Sequence, residues 1–426
     1  MQAGAWHACT TMTTDATPDA SYAERIAFIE ELAWHLHAYG TTAQRMEGAI
    51  ELVARRLRVE CEPWSNPAGI ILSFRDPSRP GRHTEVTRIV RPGLGDTNLR
   101  RLCAADRIAE DVISGKLDIS AGRAALRELE RPATGRARAM IVLGFLLASA
   151  AVAGLLRLPW LDIGVAALTG LLIGLLLLAA QSRKRLHEGF EALSGLLAGS
   201  VAIVVSAWVA PLNLNTVIIA SLIVLVPGMT LALAASELAS RHLVSGTARF
   251  AGAAMTVVNL TIGTAIALAV AGYFGIDPRI QALRPQPDWV GWSALALGAF
   301  AFAVLFQARR RDYPLVMLSA VCGYLVSRYG GEWLGSGAGV FLGAFVTTAA
   351  GNAFARITNR PGALVRLPGI IMLVPGSAAL RGVVSLVQSQ DFGAGQDAAM
   401  AVFSTLMALV AGLVFGNLLV SARRNL

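Results

Sequence analysis

The tetrapeptide Leu-Val-Pro-Gly occurs twice, at Leu225–Gly228 and at Leu373–Gly376, each time in the middle of a long apolar run. Proline removes a backbone donor and crowds the preceding turn, and glycine permits a sharp bend. Each pair therefore leaves carbonyl and amide groups without helical partners, and in lipid such groups need protein, water or a ligand. Interrupted helices at matching positions of two halves point to the binding site of a transporter. Pro227, Gly228, Pro375 and Gly376 are thus the first candidate substrate-binding residues. Thr230 and Ser377 follow the two pairs closely, and their hydroxyls either line the bends or bond back to the helix.

Ionisable groups near the bends come next. Arg381 lies six residues after Pro375, well inside its apolar segment, and Glu237 lies ten residues after Pro227. A charge at membrane depth costs at least ~2.5 kcal/mol and usually faces a cavity or a partner. The planar fork of Arg381 suits a substrate carboxylate. Glu237 suits a proton or an ammonium group, and Glu191, which opens another apolar run, is the second candidate proton carrier. The bland alternative is that these chains reach out to the interface. His187-Glu188-Gly189-Phe190-Glu191 lacks the second His of a zinc helix motif, and His35 and His37 fall on different helix faces, so no metal site is expected. The four cysteines, Cys9, Cys61, Cys103 and Cys322, lack CxxC spacing and read as free thiols. With no GxxxxGK[ST], GxSxG or HExxH motif, the chain reads as neither a P-loop ATPase nor a hydrolase, and no cofactor is expected.

The elements that position these residues are mostly apolar helices. Of 426 residues 54% are hydrophobic and only 15% charged, a deficit that points to lipid. Residues 1–135 hold 17 Lys+Arg and 18 Asp+Glu, whereas residues 136–426 hold 20 and 10, so the net +9 comes from the hydrophobic part. That charge falls between apolar runs, unlike the basic face of a nucleic-acid binder, and no nucleic-acid partner is expected. Ten apolar segments are read, at about 138–156, 161–180, 190–210, 214–236, 250–274, 289–307, 314–329, 334–354, 365–387 and 397–421. Each is close to the roughly 20 residues needed to cross a bilayer. With the amino terminus inside, fifteen Arg and Lys lie on the inner side (Arg183, Lys184, Arg185 and Arg309, Arg310, Arg311 among them) and four, Arg157, Arg279, Arg284 and Arg328, lie outside. The positive-inside rule then places both termini in the cytoplasm of a multi-pass protein of the cytoplasmic (inner) membrane.

The offset between the two tetrapeptides is 148 residues, and it carries most apolar segments onto one another. Five helices duplicated must cross in opposite senses, so the expected plan is two five-helix inverted repeats, at 136–275 and 289–426. Ahead of them, residues 1–19 read as disordered and 20–135 as a cytoplasmic α+β domain. That domain has helices over 20–58, near 98–114 and over 120–130, and strands at Gly69–Phe74 and Glu85–Val90 about a turn at 78–82. Pro132–Gly135 is the linker, and residues 1–20 lack the apolar core of a signal peptide, with Met12 a second candidate start. Asn213, Asn259, Asn352 and Asn417 are expected to bond between helices, and glycines 335, 339 and 343 to pack them closely.

Leu225–Gly246, LVPGMTLALAASELASRHLVSG, resembles the signature of the threonine/serine exporter family, as does Leu367–Val383, LPGIIMLVPGSAALRGV. Gly40, Arg45 and Glu47 in YGTTAQRME, and then Arg88, resemble that family's amino-terminal domain, and the likeness runs from about residue 22 through nearly the whole chain. The resemblance implies a ten-helix exporter of small hydroxy amino acids driven by the proton-motive force. Relatives with split halves are associated with dicarboxylates such as succinate. This chain keeps a carboxylate at Glu237, where the family often has Asp, and has Ala232 and Leu233 where it often has Thr-Asn. Expected partners are a small amino acid or carboxylate, protons, the bilayer and a possible second copy. A non-transport membrane scaffold or sensor is the remaining alternative.

Overall fold

The computed structural model describes residues 20–78, 85–92, 97–132, 134–280, 285–374, 376–389 and 392–421. Residues 1–19, most of the turn at 78–82, Pro375, Arg284, the two arginines at 423 and 424, and the side chain of Ser377 lie outside that description.

The chain opens on helices α1 (Tyr22–Ala38) and α2 (Ala43–Arg56) and strands β1 (Glu60–Asn66), β2 (Gly69–Arg75) and β3 (Val86–Val90). Ser21 starts α1 through a reciprocal capping box with Glu24. The strands form an antiparallel sheet in the order β1-β2-β3, with Leu72 of β2 between Pro63 and Arg88. Ile70, Leu72 and Phe74 alternate toward the core, as a half-buried strand requires. Helices α3 (Leu99–Ile113) and α4 (Ile119–Glu128) complete the unit, and Phe28, Ile29, Leu32, Ile50, Leu99 and Leu126 fill its centre. Strand β1 was not anticipated. Its sequence, ECEPWSN, has no apolar alternation and contains proline; the strand exists because β2 offers it a complete ladder.

Next come α5 (Gly135–Leu155), α6 (Trp160–Gln181), the short α7 (Lys184–Glu188), α8 (Phe190–Trp208), α9 (Leu214–Leu222), α10 (Gly228–Ala239) and α11 (Leu243–Tyr273). Then follow α12 (Asp288–Leu305), α13 (Tyr313–Leu334), α14 (Ser336–Thr358), α15 (Ala363–Ile371), α16 (Gly376–Ser389) and α17 (Phe392–Leu419). Among the described residues seven helices are long and apolar enough to cross a membrane: α5, α6, α8, α11, α12, α14 and the 395–419 stretch of α17. The apolar segments read at 214–236 and 365–387 are not single helices. Each is two short ones, because the Pro-Gly pair stops the first and starts the second.

Helices α8 and α11 pack against each other, as do α14 and α17. The contact between α8 and α11 requires glycine: a Cβ on Gly263 would stand 2.0 Å from the Ala192 carbonyl oxygen, and one on Gly195 2.2 Å from that of Leu260. The packing also crosses between the halves, since α10 lies against α17 and α16 against α11.

The amino-terminal unit and the helical bundle share a core. Ala303, Phe306, Val316, Leu364 and Leu367, from the ends of α12, α13 and α15, pack into the same cluster as Phe28 and Leu99. The Leu99 N–H donates to the Phe306 carbonyl at 2.9 Å, and Asn98 Nδ2 to Gln307 Oε1 at 2.8 Å. The N-cap side chain and the first amide of α3 are therefore docked on the bundle.

Candidate functional site

The same backbone hydrogen bond spans both breaks. The Gly228 N–H donates to the Val226 carbonyl at 2.7 Å, and the Gly376 N–H donates to the Val374 carbonyl at 2.9 Å. Such three-residue turns reverse the chain without satisfying the amides that follow. Helices α10 and α16 both start at their glycine, and the two starts meet. A Cβ on Gly228 would lie 2.9 Å from Val374 Cγ1 and 3.5 Å from Gly376 Cα. One on Gly376 would lie 2.8 Å from Val226 Cγ1 and 3.3 Å from Gly228 Cα. The contact is reciprocal, and only residues without a side chain fit it.

Two helix N-termini thus converge on one buried point. The first amides of a helix have no acceptor within it and carry the positive end of the helix dipole. After Gly228, whose amide is taken by Val226, the next residue of α10 to bond backward is Leu231, to the Pro227 carbonyl at 2.9 Å. Thr230 is half-buried in that first turn, and Pro227 is half-buried at its cap. The arrangement can receive an anionic group such as a carboxylate.

Glu237 stands at the other end of α10 and is 2% exposed. Helix α2 begins at Ala43, and the side chain of its cap residue Thr42 makes no capping bond. Glu237 supplies the cap from 194 residues away: its Oε1 accepts the Ala43 N–H at 3.1 Å. Its Oε2 accepts from Ser245 Oγ at 2.7 Å and from Arg249 Nε at 2.9 Å, both on α11. Beside it, Glu47 accepts from the Ser65 N–H at 2.8 Å and from Ser65 Oγ, and lies 3.5 Å from His242 Nδ1. His37 Nε2 donates to the Asn66 carbonyl at 2.9 Å, and burial pushes the His37 pKa below the usual histidine value. The half-helix that starts at the Pro-Gly break therefore ends in a polar lock on the amino-terminal unit.

Arg381 and Glu191 are placed differently. Arg381 is exposed on α16, although its segment reads as apolar, and among the described residues no carboxylate or acceptor engages it. Glu191 is half-buried in the first turn of α8, likewise without a partner among the described residues. The Pro-Gly pairs and Glu237 are thus linked along α10, whereas Glu191 stands apart.

Sequence reasoning missed Asp162. It is fully buried in the first turn of α6, where Oδ2 accepts from the Asn213 N–H at 3.1 Å and from Asn213 Nδ2 at 2.7 Å. Its other oxygen has no partner among the described residues. An aspartate inside the apolar run WLDIGVAAL was the available signal. Asn352 does bond between helices, donating to Asn417 Oδ1 at 2.8 Å. Among the described residues no group of three or more His, Cys, Asp or Glu could hold a metal ion.

A family model described as a threonine/serine exporter matches residues 27–271, and a second, described as Threonine/Serine exporter, ThrE, matches residues 292–422. Among curated proteins, the chain is 25% identical to Pheromone-regulated membrane protein 10 of Yarrowia lipolytica over 380 residues, 85% of this chain and 30% of the relative. It is 25% identical to the protein of the same name in Debaryomyces hansenii over 415 residues, 94% of this chain and 41% of that one. In Kluyveromyces lactis the identity is 24% over 384 residues, 87% of this chain and 40% of the relative. The chain thus spans less than half the length of these relatives. No solved structure matches it.

Proposed function

The chain belongs to the threonine/serine exporter family, and on that premise we propose that it is a secondary exporter of threonine and serine, coupled to protons. The observation that carries this reading is the meeting of Gly228 and Gly376, where two broken helices present their N-termini to one point. The substrate carboxylate takes the free amides at the start of α10 and α16, with the Thr230 hydroxyl beside it; Ser377 follows the second break in the sequence. The Pro227 ring keeps α9 and α10 from joining as one helix, and the sequence repeats the proline at 375.

Ten spans, counted with α9–α10 and α15–α16 as one broken span each, make two inverted five-helix halves. Rocking of one half against the other exposes the crossing alternately to each side. The amino-terminal unit and both termini sit on the cytoplasmic side of the cytoplasmic membrane. Glu191, without a partner among the described residues, is the second proton carrier of this reading. Glu237 accepts from three donors, so a proton placed on it competes with Arg249 and with the cap of α2. Proton uptake there loosens α10 from the amino-terminal unit. Arg381 meets the substrate only in a state where α16 has turned inward.

A small dicarboxylate such as succinate is the second reading, favoured by two positive helix ends and an arginine on one of the two helices. Purified chain in proteoliposomes with an imposed pH gradient tests both. Accumulation of labelled threonine and serine supports the first, and succinate alone the second. No flux of any of the three means the family fold serves here as a scaffold or sensor.

A further inference from the structure

Where α5 leaves the amino-terminal unit there is a pocket of about 360 Å³ whose lining includes no residue of the Pro-Gly crossing. Its walls come from α3, the end of α4, the linker, the first turn of α5 and the connection between α12 and α13. Four guanidinium groups line it, those of Arg100, Arg101, Arg131 and Arg309, against one carboxylate, Glu128. Glu128 is already taken by Arg131 at 3.0 Å. Arg101 is fixed in place, donating to the Arg131 carbonyl at 2.6 Å with its guanidinium 5.9 Å over the Tyr39 ring. Among the described residues neither Arg100 nor Arg309 makes an ion pair or side-chain hydrogen bond; Asp312 attracts Arg309 from a distance and is itself paired with Arg360 at 2.7 Å. Arg309 is half-buried, and burial together with the repulsion of Arg107 pulls its pKa below the usual arginine value. The pocket thus holds more positive charge than its own acids neutralise.

Its height in the molecule narrows the ligand. Ala137, in the first turn of a helix long enough to cross a membrane, forms part of the wall. The pocket therefore opens where apolar chain gives way to polar chain, at the depth of lipid headgroups. Arginine forks at that depth match the paired oxygens of a phosphate. We propose that this pocket binds a phosphate group at the membrane surface, that of an anionic phospholipid or of a soluble phosphate compound. Because its walls belong to both the amino-terminal unit and the bundle, the bound phosphate fastens one to the other. The proposal holds whatever solute the crossing carries.

The test uses the full chain purified in a neutral detergent, at constant ionic strength, with the thermal midpoint as readout. The probes are short-chain phosphatidylglycerol, short-chain phosphatidylcholine and inorganic pyrophosphate. A saturable rise with phosphatidylglycerol but not phosphatidylcholine assigns a lipid headgroup, and a saturable rise with pyrophosphate assigns a soluble source. In either case Arg100→Gln/Arg309→Gln raises the concentration needed for half the shift by about tenfold or more. Arg183→Gln/Lys184→Gln, an equal loss of charge at another connection, leaves it unchanged. Arg100→Gln alone, at an exposed position, gives a smaller rise and guards against misfolding of the double variant. The proposal is overturned by no saturable shift with phosphatidylglycerol or pyrophosphate, or by equal weakening in the Arg183/Lys184 variant.

Discussion

Gly228 and Gly376 stand against each other so closely that a Cβ on either would lie within 3.5 Å of the other's α-carbon. The two residues are 148 positions apart, each directly after a proline. Each glycine is also covered by the valine two residues before the other, Val374 over Gly228 and Val226 over Gly376. The contact is thus reciprocal, each break closed by the valine of the other.

Alanine at either glycine should be costly. The new methyl would stand 2.9 Å from Val374 Cγ1 at position 228, or 2.8 Å from Val226 Cγ1 at position 376. Overpacking of this kind costs about 1–3 kcal/mol. Gly228→Ala should lower the thermal midpoint, and Gly228→Ala/Val374→Ala should recover much of the loss. A double variant no better than the single would place the strain elsewhere.

The polar lock at Glu237 gives a second prediction. Glu237→Ala leaves Arg249 without its partner and Ala43 without its cap, and breaking a buried pair costs about 3–5 kcal/mol. Hydrogen exchange should accelerate in the first turn of α2, 194 residues away in sequence. Glu237→Gln keeps an acceptor for Ala43 and should protect that turn better than alanine does. Equal exchange in both variants and the parent would show that the cap does not hold α2.

Asp106, on α3, supplies a pH dependence. Burial raises its pKa to about 7, against the opposing pull of Arg45. A carboxyl whose folded pKa lies above its unfolded value of 3.8 binds its proton more tightly when folded. Its contribution is full below that unfolded value and is lost as pH rises toward about 7. The thermal midpoint should therefore fall from pH 5 to pH 7 and then level off. Asp106→Asn should flatten the slope across that window. An unchanged slope in the variant would assign the titration to another group.

Arg381 separates function from stability. Being exposed and without a partner among the described residues, it should leave the thermal midpoint unmoved when replaced by alanine. If it meets the substrate carboxylate during transport, flux should fall about tenfold or more, as for the loss of a charge-assisted hydrogen bond. Flux equal to the parent's would remove Arg381 from the mechanism.

What could be read from the sequence was what is local. Apolar runs of membrane length, and a Leu-Val-Pro-Gly repeated inside two of them, announce themselves in a window of about 20 residues. The strand Gly69–Arg75 alternates and was legible; Glu60–Asn66 does not alternate and owes its conformation to its neighbour. The use of Glu237 as a cap for Ala43 was hidden because neither residue's surroundings in sequence mention the other. Asp162 was hidden for the same reason, its partner Asn213 lying 51 residues on. The meeting of the two Pro-Gly breaks lies between these cases. Repetition marked the two sites, and only the packing of α10 and α16 brings them together.

The central claim is that the solute binds where Gly228 meets Gly376, and alkylation at position 230 tests it most directly. Thr230→Cys places a thiol in the half-buried first turn of α10. Its labelling by a maleimide, followed by mass spectrometry of the peptide that carries it, can be timed in the purified chain with and without solute. Saturating threonine or serine should slow the labelling severalfold, while a solute that is not carried should leave it unchanged. A rate indifferent to threonine, serine and succinate alike, in protein shown to be folded, would contradict the account.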